Sequence, residues 1–269
     1  MSLTKEWLIP LARTLVRSGA TGPVFALGDQ ITWFTQEYAR RRLLASGLLR
    51  NPFVAGRASS HNPKMVSFRS LLEMIGFGEY YDIDVNGRAT LTEDLSRPLR
   101  EDYKSKAGVV IDIGTSEHIF NLSQVFANIV ELLQPGGIVV HLSPLSFYNH
   151  GFVNFNPIAF REFYEHNGFQ IGEHGLIVAP FEYTLQCILT RLRLADWYFL
   201  SNIRPISFVM NDESRTLERM TKHLGIGARV VILFTAKKPL KNLPVSFPHQ
   251  AMYRRSLPDT SPKTSVTCI

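Results

Sequence analysis

Two stretches near the middle of the chain read VVIDIGTSEHIFN, at residues 109–121, and LLQPGGIVVH, at residues 132–141. Residues 109–113 are apolar and β-branched, which is typical of a strand that is buried on both faces. Apolar residues recur at helical spacing between 123 and 133, and Pro135-Gly136-Gly137 then predicts the end of that helix. Residues 138–140 are again apolar and β-branched. The two stretches therefore predict a strand, a helix and a second strand in succession.

The same alternation continues on both sides of this unit. Further strands are predicted at 24–27, 80–83, 89–92, 169–171 and 230–234, and further helices at 1–17, 31–49, 68–75 and from Pro157 to Gly168. Strands that alternate with helices favour a largely parallel sheet covered by helices on both faces. The expected fold class is α/β, a doubly wound and mostly parallel sheet of seven strands.

The chain of 269 residues divides into one large domain and a polar tail. We expect an α/β domain at 1–240, with a helical insertion at about 184–224, and a basic, Pro-rich and flexible tail at 241–269. From Ala236 onward six basic side chains stand against the single acidic Asp259, so about +5 of the formal charge of +6 lies in this last part of the chain. Aromatic residues are not interleaved with these charges, so we do not expect nucleic-acid binding.

Several classes of protein do not fit the composition. No apolar run approaches the roughly 20 residues that span a bilayer, and residues 1–10 lack the pattern of a secretory signal, so we expect a cytoplasmic protein without a membrane segment. Cys187 and Cys268 are too few for a disulfide framework or a cysteine-based zinc site. The eight histidines contain no His-Glu-x-x-His arrangement, so the sequence predicts no metal site.

Polar residues follow each of the first four predicted strands, where an open α/β sheet binds its ligands. They are Gly28-Asp29-Gln30 after the first strand, Asp82 and Asp84 at the second, Asp94 after the third, and residues 112–118 after the fourth. Acidic side chains in these positions can accept the hydroxyls of a ribose and the amine of an adenine.

The run at 110–121, the Leu-Leu-Gln-Pro-Gly-Gly turn, and the later Pro144 and His150-Gly151-Phe152 together resemble class I S-adenosylmethionine-dependent methyltransferases. More narrowly, they resemble a bacterial branch of that family, although Asn156 stands where the branch has serine. The resemblance covers about residues 24–171. It implies S-adenosylmethionine as cofactor, a small-molecule acceptor as partner, and methyl transfer by in-line displacement.

The resemblance also implies roles for individual residues. Gly28 would line the methionine part of the cofactor, Asp82 would hold the ribose, and Asp94 with Leu95 would flank the adenine. Asp82 is preferred to Asp84 because it lies twelve positions before Asp94, as in that branch. Asp112 and Gly114 complete the expected cofactor-binding set.

His150 and His118 are the candidate catalytic residues, because an imidazole titrates near neutral pH and can act as a general base. Glu117 is expected to accept hydrogen bonds from backbone amides. The aromatic residues between 147 and 155 are candidates for the wall of the acceptor pocket, although at least two of them are expected to pack in the core. That pocket should draw on residues 146–156 and 191–210.

Two other readings remain open. A single glycine after the first strand, where most class I methyltransferases have several, also fits a degenerate methyltransferase-like protein that acts as a binding or scaffold partner. An NAD-dependent oxidoreductase is disfavoured, since Gly-x-Gly-x-x-Gly is absent there. The oligomeric state cannot be read from the sequence.

Overall fold

A computed structural model describes residues 2–147, 150–179, 208–210 and 229–250. These residues form one sheet in the order β3-β2-β1-β4-β5-β8-β6-β7. The strands are β1 Val24–Leu27, β2 Tyr80–Asp84, β3 Leu91–Thr92, β4 Ala107–Ile113, β5 Leu133–Pro144, β6 Gln170–Ala179, β7 Phe208–Met210 and β8 Arg229–Lys237. The helices are α1 Lys5–Arg17, α2 Gln36–Ala45, α3 Phe68–Met74, α4 Leu122–Leu132 and α5 Pro157–His166, with short 3-10 helices at Glu101–Tyr103 and Ser116–His118.

The first five strands are parallel, and β8 runs antiparallel between β5 and β6. This confirms the predicted doubly wound, mostly parallel sheet. The short β7 is an additional strand, paired with β6 at the edge. Strand order reverses between β1 and β4, and the carboxyl ends of these neighbours border the crevice in which such sheets bind ligands.

Helices cover both faces of the sheet, which explains why every residue of β1 and β4 is buried. On one face, α1, α2 and α3 contribute a cluster of buried residues that includes Leu11, Leu43 and Leu72. On the other face, α4 and α5 contribute a second cluster around Phe126 and Phe160.

Element boundaries differ from the sequence prediction where a side chain decides them. The helix expected at 31–49 spans only Gln36–Ala45, because Thr35 caps its start by accepting a hydrogen bond from the amide of Tyr38 at 3.2 Å. Helix α4 ends at Leu132, and Lys238 Nζ donates to the carbonyls of Val130 and Leu133. Helix α4 therefore ends before Pro135 is reached, and Lys238, a residue distant in sequence, stabilises that end.

The expected helical insertion at 184–224 lies outside the described residues except for 208–210, which form strand β7 rather than a helix.

The first part of the expected tail is described, and it packs on the domain. The amide of Ser246 donates to Asn167 Oδ1 at 2.9 Å, and Asn167 Nδ2 donates back to the Ser246 carbonyl at 2.9 Å. The Phe247 ring lies 6.0 Å from that of Phe163. Residues 246 and 247 therefore contact the C-terminal part of α5 and the residue that follows it.

Among the described helices, none has the length and apolar character that crossing a bilayer requires.

Candidate functional site

A cavity of about 350 Å³ opens at the carboxyl ends of β1, β2 and β4. This volume is at the lower end of the range for small-molecule sites. The cavity is lined by residues of the loops that follow these strands: Gly28, Asp29, Gln30, Ile83, Asp84, Val85, Glu93, Asp94, Leu95, Gly114, Thr115, His118 and Ile119. The structure thus brings together five of the predicted cofactor and catalytic residues: Gly28, Asp94, Leu95, Gly114 and His118.

Gly28 forms the floor where β1 meets the loop after β4. Its φ of +79° lies in the left-handed region, and a Cβ there would stand 2.6 Å from Thr115 Oγ1. That hydroxyl donates to the Leu27 carbonyl at 2.6 Å. Glycine is required at this position by both its backbone conformation and the close approach of Thr115.

Gln30 lies beside this floor and is almost completely buried. Its Nε2 donates to the Leu27 carbonyl at 2.6 Å. Its Oε1 is buried without a hydrogen-bond partner among the described residues. A buried carbonyl oxygen that borders a cavity is an acceptor for a donor group of a ligand.

Asp84 ends β2 and faces the cavity. Leu27 of β1 and Ile83 of β2 are the last residues that pair between these two strands, and Asp84 comes one position after Ile83. One carboxylate oxygen accepts the amide of Asp29 at 2.9 Å and the other accepts the amide of Asn86 at 3.1 Å. The carboxylate is held by backbone donors, and each oxygen keeps a further lone pair.

Asp82, the residue expected to hold the ribose, is not among the residues that line this cavity. It pairs with Ala26 inside β1, two positions before Asp84, which places it roughly 6.6 Å further from the edge of the sheet. Its Oδ1 accepts hydrogen bonds from both the amide and the hydroxyl of Thr90. Asp82 therefore anchors the segment that leads into β3.

Asp94 and Leu95 lie on the opposite wall, after β3. Hydrogen bonds from Ser96 hold the pKa of Asp94 below its ordinary value. Leu95 is buried and supplies an apolar surface to the cavity. The neighbouring Glu93 also lines the cavity and pairs with Arg100, with Nε and Oε1 2.8 Å apart.

Asp112, which was expected in the cofactor-binding set, is fully buried and is not among the residues that line the cavity. Its carboxylate contacts His141 Nδ1 at 3.0 Å and accepts the Ser116 hydroxyl at 2.6 Å. It also accepts the amide of Thr115 at 3.1 Å. Asp112 acts on the site indirectly, by fixing the loop that carries Gly114 and Thr115.

His118 and His150 lie close together, with ring centroids 4.8 Å apart. His118 lines the cavity, and its partial burial lowers its pKa. Between them lies Glu117, whose Oε1 is 3.9 Å from His118 Nε2 and 3.6 Å from His150 Nε2. Glu117 is fully buried, and burial together with the nearby Asp112 charge raises its pKa to about 8.

The expectation that Glu117 accepts backbone amides is wrong, since neither of its carboxylate oxygens has a hydrogen-bond partner among the described residues.

Phe147 and Phe155 are buried, which confirms the expectation that at least two of the aromatic residues pack in the core. Phe152 is exposed, and Tyr148 and most of 191–210 lie outside the described residues.

Sequence reasoning did not assign Gln30, Glu93 or Thr115 to the cofactor site. A signal was present for all three, since Gln30 lies three positions after β1, Glu93 directly follows β3 and Thr115 lies two positions after β4. Their side chains are recognised as lining residues only when the strands are aligned in the sheet.

We compared the chain with models of known protein families and with curated proteins, and neither comparison gave a match. Solved structures with a similar arrangement include a protein from Bacillus halodurans described as a methyltransferase, at 12% identity, covering 85% of this chain and 98% of that one, with a TM-score of 0.46. They also include the Burkholderia thailandensis 1,6-didemethyltoxoflavin-N1-methyltransferase, at 12% identity, with coverage of 87% and 79% and a TM-score of 0.41. A third is the cyclase SpnF, at 10% identity, with coverage of 88% and 81% and a TM-score of 0.41. All three TM-scores are below 0.5, and the functional assignment that follows is based on the site alone.

Proposed function

We propose that this chain binds S-adenosylmethionine in the cavity at the carboxyl ends of β1, β2 and β4 and transfers its methyl group to a small-molecule acceptor. The observation that carries the proposal is the Asp84 carboxylate at the end of β2. It faces the cavity, is fixed by two backbone amides, and forms no ion pair among the described residues. A carboxylate so placed can accept both hydroxyls of a ribose.

The other lining residues fit the remaining parts of this cofactor. Leu95, Ile83 and Ile119 offer apolar surface to an adenine ring. The unpartnered Gln30 Oε1 can accept a hydrogen bond from the ammonium of the methionine part. When bound, the cofactor supplies an electrophilic methyl group on a sulfonium.

The charge of the lining favours this ligand over a dinucleotide. Four carboxylates line the cavity, at Asp29, Asp84, Glu93 and Asp94, and no lysine or arginine is among the described residues that line it. A pyrophosphate would meet carboxylates there without a cation to stabilise it. A sulfonium and an ammonium carry positive charge and suit an acidic lining.

We place the acceptor on the side of His118 and His150. His118 is the one titratable nitrogen side chain among the described lining residues, and His150 adjoins it on the loop after β5. Methyl transfer is an in-line displacement, so holding the acceptor atom against the methyl group supplies much of the rate. These two imidazoles are proposed to lie beside the acceptor atom, where they could act as general bases or as ligands of a metal ion that binds the acceptor.

Calorimetric titration of the full chain with S-adenosylhomocysteine tests the cofactor site. The proposal requires saturable binding at one site per chain. A mass-spectrometric screen with S-adenosylmethionine and a panel of hydroxylated and amine acceptors then tests for a product heavier by one methyl group. Absence of binding would favour the alternative of a degenerate binding or scaffold protein, for which the single glycine after β1 is the motivating feature.

A further inference from the structure

Three potential metal ligands converge beside the cofactor cavity. The ligand atoms of Glu117, His118 and His150 all lie within 4.8 Å of one another. Glu117 is buried, whereas the side chains of His118 and His150 are 42% and 32% exposed. The group is therefore anchored on a buried carboxylate and open to solvent on the side of its two imidazoles.

The backbone holds this group together. The 3-10 helix Ser116–His118 presents Glu117 and His118 after β4, and the amide of Phe152 donates to the Glu117 carbonyl at 2.8 Å. At Gly151 a Cβ would stand 2.8 Å from both Cγ and the carbonyl oxygen of Glu117, so only glycine permits this approach. The close docking of residues 151–152 places His150 beside Glu117.

Within the described part of the chain, the Glu117 carboxylate lacks the hydrogen bonds that normally stabilise a buried acid. The described residues provide no hydrogen bond to either oxygen, and the two imidazole nitrogens at 3.6 Å and 3.9 Å are too far away to donate one. The other buried acid of the same loop, Asp112, receives hydrogen bonds from Ser116, Thr115 and His141. A buried carboxyl group without hydrogen bonds is costly to ionise, and a bound cation is one of the few partners that stabilise its charged form.

We propose that Glu117, His118 and His150 bind a divalent transition-metal ion of the Zn²⁺ type. Two imidazoles and one carboxylate form a ligand set that is typical of such ions. Ligand atoms about 2.1 Å from a tetrahedral ion stand roughly 3.4 Å apart. The separations of 3.6 Å and 3.9 Å from Glu117 Oε1 are a few tenths of an ångström larger, and all three ligand atoms lie within 4.8 Å of one another, so binding an ion requires the two imidazoles to rotate toward each other.

The sequence predicted no metal site because it lacks a contiguous ligand motif. The ligands come instead from two loops, after β4 and after β5, which only the parallel pairing of these strands brings together. The expectation of no metal site considered only an arrangement of histidines on a single helix.

The ion would act on the acceptor, a step that rests on the proposed function. Three protein ligands leave open positions, and His118 also lines the cofactor cavity. An acceptor hydroxyl bound at an open position would lose its proton to bulk water more readily, because a divalent cation stabilises the oxyanion; the oxyanion would then form its bond to the methyl group as the S–CH3 bond breaks and S-adenosylhomocysteine leaves. The favoured acceptors are therefore compounds with an ionisable hydroxyl group, and the imidazoles serve as ligands rather than as bases.

The experiment measures metal binding without cofactor or acceptor, so its outcome is independent of methyl transfer. The full chain is stripped with a chelator and titrated with Zn²⁺ in competition with a chromogenic chelator, and with Co²⁺ while its visible d–d absorption is followed. We expect one site per chain and the absorption of a four- or five-coordinate Co²⁺ ion. Glu117→Gln and His150→Ala should each weaken Zn²⁺ binding at least about 100-fold, since removing a ligand costs more than removing its supporting hydrogen bond.

The matched control is His166→Ala, which removes an exposed histidine at the end of α5. It should bind Zn²⁺ with the affinity of the unmodified chain. Cys187 and Cys268 are present in every variant and contribute the same background. Thermal unfolding of each stripped variant shows that it is folded, and the isosteric Glu117→Gln guards against loss of structure. Zn²⁺ binding that is absent, or equal in the unmodified chain and in both ligand variants, would overturn the proposal.

Discussion

His141 Nδ1 lies 3.0 Å from Asp112 Oδ2, and neither side chain is exposed to solvent. The other ring nitrogen of His141 lies 2.8 Å from the hydroxyl of Tyr164 on α5. This buried series of contacts joins β4, β5 and α5 directly beneath the loop that presents Glu117 and His118. The rigidity of the candidate site therefore depends on a network that does not itself touch the cavity.

Removing His141 should be strongly destabilising. His141→Ala leaves Asp112 buried without its imidazole partner, and breaking a buried pair in this way costs about 3–5 kcal/mol. Urea denaturation followed by circular dichroism measures the change in the free energy of unfolding. The exposed His166→Ala should change it by less than about 0.5 kcal/mol. A loss below about 1 kcal/mol in His141→Ala would show that the network is not structural.

The Asp112 carboxylate should also make the free energy of unfolding depend on pH in the acid range. Burial alone would raise the pKa of Asp112, but the hydrogen bond and charge of His141 and the hydrogen bonds from Ser116 and Thr115 bring it below its ordinary value. Because the folded pKa is lower than the unfolded one, the contribution is complete above roughly pH 4 and is lost as the pH falls through the folded value.

Asp112→Asn tests this dependence. The difference in the free energy of unfolding between the unmodified chain and Asp112→Asn should be constant from pH 7 to about pH 5 and should shrink below about pH 4. Urea unfolding at a series of pH values measures it. A difference that stays the same down to pH 3 would contradict the assignment of a lowered pKa to Asp112.

Asp84 and Asp82 provide a matched pair of variants for the cofactor site. Asp84→Asn should weaken binding of S-adenosylhomocysteine at least about tenfold, since hydrogen bonds to a charged group contribute about 1.5–3 kcal/mol each. Asp82→Asn should change the affinity less than about twofold, because Asp82 contacts Thr90 rather than the cavity. Calorimetric titration compares the two. A larger loss in Asp82→Asn would return the ribose anchor to that residue.

The segment 245–250 should contribute to folding. Ending the chain after Pro244 rather than after Gln250 removes the two Ser246–Asn167 hydrogen bonds and the contact of Phe247 with Phe163. We expect the shorter form to be less stable than the longer one by about 1–3 kcal/mol. Thermal and urea unfolding of the two truncated forms isolates these six residues. Equal stability would show that the segment contacts α5 without stabilising it.

The strands, the two helical layers and the place of the ligand cavity could be predicted because their signals are local. The apolar run ending at Gly28, the β-branched run before Gly114, and the Asn156-Pro157 helix start each lie within a few residues of chain. The alternation of strands and helices then predicts a mostly parallel sheet. Gly28, Asp94 and Leu95 all line the cavity, and each lies within three residues of the end of a strand.

The amino-acid sequence by itself thus determined the fold class and the edge of the sheet that carries the site. Only the tertiary structure showed that Asp84 rather than Asp82 lines the cavity, because a shift of two residues along a strand moves a carboxylate by roughly 6.6 Å. It also decided that Asp112 pairs with His141, and that Glu117 meets His118 and His150. These contacts join loops that are remote along the chain, and their geometry depends on strand register and side-chain packing, which no local pattern of residues encodes.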